Sequence, residues 1–241
     1  MSTVSMARRL AAEILGTAFL LAIAGGAGIM AERLAGGNAA LALLANSLAT
    51  GGGLLALILL FGPISGAHFN PVLTLSEAWQ KNMPVTEVAP YIAAQLAGCL
   101  LGVLAMHGMF DLPLLVASEQ ARTGAALWWS EFVATFGLLA VYIGCLRNRP
   151  GIAPFAVSAY VMASYWFTSS SAFVNPAVTL ARTIGNTPAG IRMTDAPGFI
   201  LAQLAGAAAA TVVFSWLYPA ARSSAPAQAP AETVSDSYAR S

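Results

Sequence analysis

Residues 169–182 read SSSAFVNPAVTLAR, and about a hundred residues earlier residues 65–75 read SGAHFNPVLTL. Both stretches centre on Asn-Pro. Asn is a good N-cap and Pro is favoured at the first helical position, so Asn70-Pro71 and Asn175-Pro176 each predict the start of a helix. Each helix is short: from 71 to 79 and from 176 to 185 there is room for about 15 Å at about 1.5 Å per residue, roughly half of a bilayer core. One half-helix in each half of a membrane protein predicts a pore centred between them.

Composition places the chain in a membrane. Hydrophobic residues make up 58% and charged residues 9%, with mean hydropathy +0.72, far from the roughly 25% charged residues of soluble domains. A net charge of +1 gives no basic face for nucleic acid. Cys99 and Cys145 fall inside apolar runs and read as small thiols without a disulfide. Arg8 and Arg9 precede an apolar run over 10–30 that is too long for a signal-peptide core. Further spans are expected at 38–61, 85–110, 125–146, 152–168 and 197–218, giving six.

The halves repeat. Gln95-Leu96-Ala97-Gly98 recurs as Gln203-Leu204-Ala205-Gly206, and Glu13 near the start of the first span is echoed by Glu131 in the fourth. Three spans per half is an odd number, so the second copy enters from the opposite side. The fold class is therefore an all-α membrane protein: six transmembrane helices plus two half-helices in an inverted repeat. The expected organisation is an N-terminal tail (1–7), a first membrane repeat (8–110), an external connecting loop (111–124), a second repeat (125–219) and a disordered cytoplasmic tail (220–241). Arg8, Arg9, Lys81, Arg147, Arg149 and Arg222 fall on the side of the termini; Arg33, Arg122, Arg182 and Arg192 fall opposite. The excess favours cytoplasmic termini.

These residues resemble the major intrinsic protein family, the aquaporins and aquaglyceroporins, over about 8–218. The resemblance implies a pore centre of Asn70, Pro71 and Val72, where Ala is usual in place of Val72, with Asn175, Pro176 and Ala177. It also implies a homotetramer with one pore per subunit. Glu13 and Glu131 would brace the loops by accepting backbone hydrogen bonds, the other reading of an intramembrane carboxylate being a proton relay. Gly66, Ala67 and His68, with Ser171 and Phe173, would line the lumen with non-helical backbone. His68 holds its loop or gates the pore with pH, and His107 is expected at the interface. The asparagine amides would donate to a passing oxygen and interrupt proton hopping, while the half-helix N-termini repel cations.

Family water channels place an Arg directly after the second motif, where this chain has Val178. Counting back without gaps puts the other filter positions at Thr50, Ala163 and Ala172, all small, which implies a mouth wide enough for glycerol. The set resembles the bacterial arsenic-resistance-associated aquaglyceroporins, and hence an inner-membrane protein passing arsenous acid or methylated arsenicals. Arg182 follows Val178 by four residues and shares its helix face. It reads either as a displaced mouth charge or as a solvated or carbonyl-bound residue ending a short helix.

The function expected is a passive channel for small neutral solutes: polyols, arsenicals and water. A water-selective channel and a secondary active transporter are the alternatives, the latter because inverted repeats with broken helices also build transporters. Catalysis is not expected, since no clustered His, Cys or Asp forms a metal site and no activated nucleophile can be assembled. No cofactor is expected either.

Overall fold

A computed structural model describes residues 4–218. The tail 220–241, together with Arg222 and residues 1–3 of the N-terminal tail, lies outside the described residues. The chain order is α1 (Met6–Leu34), α2 (Ala39–Ser65), α3 (Pro71–Trp79), α4 (Val88–Met109), α5 (Ala125–Asn148), α6 (Ala153–Phe167), α7 (Pro176–Ala181) and α8 (Ala196–Leu217). Five of the helices, counting the 3-10 turn Val85–Glu87 with α4, are long and apolar enough to cross a bilayer. The sixth expected span, α6, has 15 residues and follows a 3-10 turn over Pro150–Ile152. Together they reach about 28 Å, close to the roughly 30 Å hydrocarbon thickness.

Local chemistry sets the ends. Asn38 caps α2 by accepting from Leu41 N–H at 3.1 Å. At the other end Gly66 adopts φ +89°, and its N–H closes on Gly62 O. A left-handed residue there ends the helix and turns the chain back inward. Both half-helices begin where the Asn-Pro reading puts them; α7 is continued by a 3-10 turn over Arg182–Ile184.

The two repeats are built alike. In the first, α1 packs on α2 and α4; in the second, α5 packs on α6 and α8. Each half-helix rests against α4 of one repeat and α8 of the other, so the short helices join the halves at their centre. Close approach of the long helices rests on the repeated glycines. A Cβ on Gly98 would lie 2.4 Å from Ile14 O, and one on Gly206 2.4 Å from Phe132 O. Each clash falls on the backbone carbonyl just after Glu13 or Glu131, so these glycines set how near each carboxylate comes to the following helix. Large apolar side chains such as Leu48, Leu60, Trp166 and Leu201 remain exposed around the outside, the surface a lipid-embedded helix presents.

Gly206→Ala should therefore lower stability by about 1–3 kcal/mol, the usual cost of overpacking against atoms that cannot move aside. Gly52→Ala, in α2 with nothing within 4 Å of its Cβ, should hold or raise it. Thermal unfolding midpoints of detergent-solubilised variants test this; equal midpoints would contradict it.

Candidate functional site

The two asparagines do more than cap. Asn70 Oδ1 accepts from Val72 N–H at 3.1 Å, and Asn175 Oδ1 accepts from Ala177 and Val178 N–H at 3.0 and 3.3 Å. Their amide groups cross to the other repeat: Asn70 Nδ2 donates to Val174 O and Asn175 Nδ2 to Phe69 O, each at 2.8 Å. An amide nitrogen carries two protons, so each asparagine keeps one N–H for the cavity that both line.

The loops leading into these caps are strained. Ala67 and Phe69 adopt φ +51°, and Ser171, Ala172 and Val174 adopt +59°, +46° and +47°. Side chains pay about 1–2 kcal/mol each for left-handed backbone, and the β-branched Val174 is the least suited to it. Buried carboxylates hold the strain. Glu13 accepts from His68 N–H at 3.0 Å, Phe69 N–H at 2.7 Å, Ser65 Oγ–H at 2.7 Å and Gln95 Nε2 at 2.9 Å. Glu131 accepts from Phe173 N–H at 2.8 Å, Val174 N–H at 2.9 Å and Gln203 Nε2 at 2.7 Å. A buried N–H left without an acceptor costs about 1–3 kcal/mol, so these bonds hold the loops against a backbone strain of similar size. Neither carboxylate lies on the cavity wall; each is turned to the backbone of its own loop.

The repeated Gln-Leu-Ala-Gly contributes here too. Gln95 also donates to Thr74 Oγ1 at 3.0 Å and Gln203 to Thr179 Oγ1 at 2.9 Å. Thr74 and Thr179 each stand four residues after their asparagine and bond back to its carbonyl. The repeat was visible in the sequence, but its hydrogen-bonding part was not.

A central cavity of about 80 Å³ runs past Asn70 and Asn175. It shares Ala67, His68, Leu73, Ile58 and Val157 with a vestibule of about 550 Å³ on the side of the chain termini, the inner vestibule, and Tyr165, Phe173 and Arg182 with one of about 170 Å³ on the opposite side, the outer vestibule. Gly66 borders the inner vestibule and Ser171 the outer one. Thr50, Ala172 and Val178 line the central cavity. Of the six residues expected at the pore centre, only the two asparagines reach that wall. Val72 and Ala177 are completely buried behind it, and Pro71 and Pro176 are buried at the helix starts.

Ala163 is not on the wall. It is exposed on α6, whose cavity-lining residues are Val157, Val161 and Tyr165 at four-residue spacing. Two residues turn a helix by about 200°, which sends Ala163 to the far side. Counting without gaps across the loop 168–174 misplaced it. The α6 side chain at the outer end of the cavity is Tyr165, buried, with its hydroxyl donating to Thr50 Oγ1 at 3.3 Å. Its period-four relation to Val157 and Val161 was the available signal.

Arg182 reaches back along its helix to border both the central cavity and the outer vestibule. Its guanidinium lies 4.2 Å from the Phe173 ring centroid, and its Nε is buried with no hydrogen-bond partner among the described residues. No carbonyl among the described residues takes that Nε, and the residue is half-buried at the start of the 3-10 turn that continues α7. Arg122, from the loop 111–124, lies over the same ring at 5.2 Å and donates to Gly190 O and Pro188 O. Burial, and then the charge of Arg182, push the Arg122 guanidinium down to about 10. Sequence reading did not single out Arg122, since only folding brings the two loops together. His68 is buried at the inner end of the cavity with Nδ1 3.0 Å from Thr74 Oγ1. His107, near the end of α4, is 1% exposed, with Nδ1 2.9 Å from Leu114 O. Among the described residues no three His, Cys, Asp or Glu side chains gather as metal ligands would.

Comparison with known proteins agrees with this geometry. The profile of the Major intrinsic protein family matches residues 1–154 and again 150–239. The chain is 46% identical over 222 residues to the aquaglyceroporin AqpS of Rhizobium meliloti (strain 1021), covering 92% of this chain and 95% of that one. It is 31% identical over 225 residues to aquaporin NIP1-3 of Oryza sativa subsp. japonica, covering 90% and 75%. Its fold matches the X-ray structure of the aquaglyceroporin from Plasmodium falciparum with TM-score 0.66, over 89% of this chain and 96% of that one at 19% identity. With paired Asn-Pro half-helices, an inverted repeat and a family match along both halves, the chain belongs to the major intrinsic protein family of multi-pass membrane channels.

Proposed function

We propose that the chain is a passive channel for small neutral solutes of polyol type, arsenous acid or methylated arsenicals among them, and for water. The observation that carries this is the cavity joining two vestibules past a pair of cross-linked asparagines. Each asparagine offers one N–H to a passing oxygen, and both half-helices turn their positive ends towards the centre. A hydroxyl-bearing solute finds donors there; a cation finds repulsion.

The filter in this reading consists of Thr50, Tyr165, Ala172 and Val178. Val178, 7% exposed, supplies an apolar wall where family water channels carry Arg. Tyr165 makes the opening narrower than the small set read from sequence, and polar at one corner. Its hydroxyl proton goes to Thr50, leaving lone pairs to accept from a solute hydroxyl. A wall that is apolar on one side and hydroxyl-lined on the other suits a polyol, whose carbon and hydroxyl edges differ. Arsenous acid is a compact neutral trihydroxy molecule and meets the same requirement. The aquaglyceroporin relative at 46% identity supports the polyol class. The narrowing by Tyr165 favours the second reading, a water-selective channel. Cytoplasmic termini in the inner membrane and a homotetramer complete the proposal, supported by the arginine distribution and by family resemblance.

Stopped-flow light scattering on proteoliposomes tests the selectivity with water, glycerol and arsenous acid. Val178→Arg should cut glycerol and arsenous acid permeability by about tenfold or more, a barrier of at least about 1.4 kcal/mol, while water still passes. A wild type that moves water alone would establish the water-selective reading.

Tyr165→Ala should raise the permeability of polyols longer than glycerol, whereas Ala163→Leu should leave the ratio of glycerol to water unchanged. The reverse pattern would return the filter position to Ala163. Glu131→Gln should reduce flux of every solute together, because an amide NH2 placed among N–H donors leaves at least one unsatisfied, at about 1–3 kcal/mol. Altered proton leak with normal solute flux would instead point to a relay.

A further inference from the structure

We infer that the outer vestibule is a binding site for one small oxyanion, held between Arg122 and Arg182 directly above the opening to the central cavity. This rests on the channel reading only for its consequence, which is that a bound oxyanion obstructs entry of neutral solutes from that side.

Both guanidiniums line the same vestibule and lie over one ring, that of Phe173, at 5.2 and 4.2 Å. Stacking on the ring face orients a guanidinium and leaves its N–H edge free to point elsewhere. Neither group meets a carboxylate: among the described residues the salt bridges are Arg9–Glu87 and Arg192–Asp195. Asp195 is taken by the Arg192 side chain and by the backbone N–H of Arg122, and Glu131, whose charge also acts on Arg122, by the Phe173 and Val174 N–H groups and Gln203. The Arg122 side chain is left with neutral carbonyls of Gly190 and Pro188. Arg182 Nε is buried without an acceptor, and a buried N–H on a cation is costly to leave unpaired.

Two like charges share a half-enclosed space, and the Arg122 guanidinium falls to about 10 through burial first and the Arg182 charge second. An anion between them removes both costs at once. The remaining wall is suited to it. Asn46 Oδ1 accepts from Thr50 Oγ1, which leaves the Asn46 amide N–H groups as donors, and Ser171 adds a hydroxyl. Glu32 also borders the vestibule, but it is exposed to solvent, so its charge is screened more than theirs. The volume of about 170 Å³ corresponds to roughly five or six waters at about 30 Å³ each, room for a sulfate-sized ion with part of its hydration. Paired forks select oxyanions over halides, since only the former accept two parallel N–H bonds from one guanidinium.

The test is equilibrium binding of radiolabelled sulfate to the purified, detergent-solubilised protein, with stopped-flow glycerol flux measured alongside in sulfate and in chloride at equal ionic strength. The expected result is saturable binding of one sulfate per chain and slower glycerol entry in sulfate than in chloride. Binding should weaken at least tenfold in Arg182→Met, and by less in Arg182→Lys, which keeps the charge and loses the fork. Arg122→Gln should weaken it as well. Absence of saturable sulfate binding to the wild type, or equal binding by wild type and Arg182→Met, overturns the inference. If sulfate does not bind while glycerol still flows in chloride, the site is lost and the channel reading survives.

Discussion

Two acidic side chains buried within a membrane protein hold the centre of this molecule together. Glu13 and Glu131 each gather the two N–H groups just before an Asn-Pro cap, plus a glutamine from the facing helix. An isolated carboxylate would be costly at that depth. Surrounded by donors, it converts that cost into a constraint on the backbone, and left-handed Phe69 and Val174 persist because of it. The carbonyls of those same two residues then accept the asparagine amides of the opposite repeat. Brace, strained loop, cap and cross-link thus form one continuous network, built twice and closed on itself by the inversion.

That network separates two kinds of selectivity along the pore axis. At the centre, in the proposed reading, fixed amide donors and the positive ends of α3 and α7 discriminate by charge and by hydrogen-bond direction. Further along the same cavity stand Val178, Ala172, Thr50 and Tyr165, which in the proposed reading discriminate by size and polarity. In water channels of the family one arginine joins the size filter to the charge barrier. Here the positive charge stands a turn further along the same helix face, at Arg182, stacked on Phe173 and facing the vestibule. On the proposed reading, moving the charge away from the narrowest part frees cross-section for a solute while a positive potential remains at the mouth.

How much of this was legible in the sequence follows from the range over which each feature is determined. The helix starts at Pro71 and Pro176 are local, fixed by Asn-Pro itself, and they stand where the sequence puts them. The inverted repeat was legible because Glu13, Glu131 and the two Gln-Leu-Ala-Gly segments recur in the same order. Val178 was placed by its distance of three residues from Asn175, within a single helix. Ala163 failed because its position was carried across a non-helical loop, where a two-residue difference rotates the next helix by more than half a turn. The burial of His107 was not legible, because the connection after α4 folds over it and brings Leu114 O against its ring. Arg122 and Arg182 are sixty residues apart, and only the packing of two outer loops puts them on one ring.

The most direct test of a passive pore barred to protons is to follow glycerol entry and internal pH together in proteoliposomes carrying a trapped pH-sensitive dye. The account predicts glycerol flux that rises linearly with its gradient, without saturation, and an internal pH no different from that of empty vesicles under an imposed proton gradient. Saturating glycerol flux that moves protons with it would contradict the account and make the chain a coupled transporter.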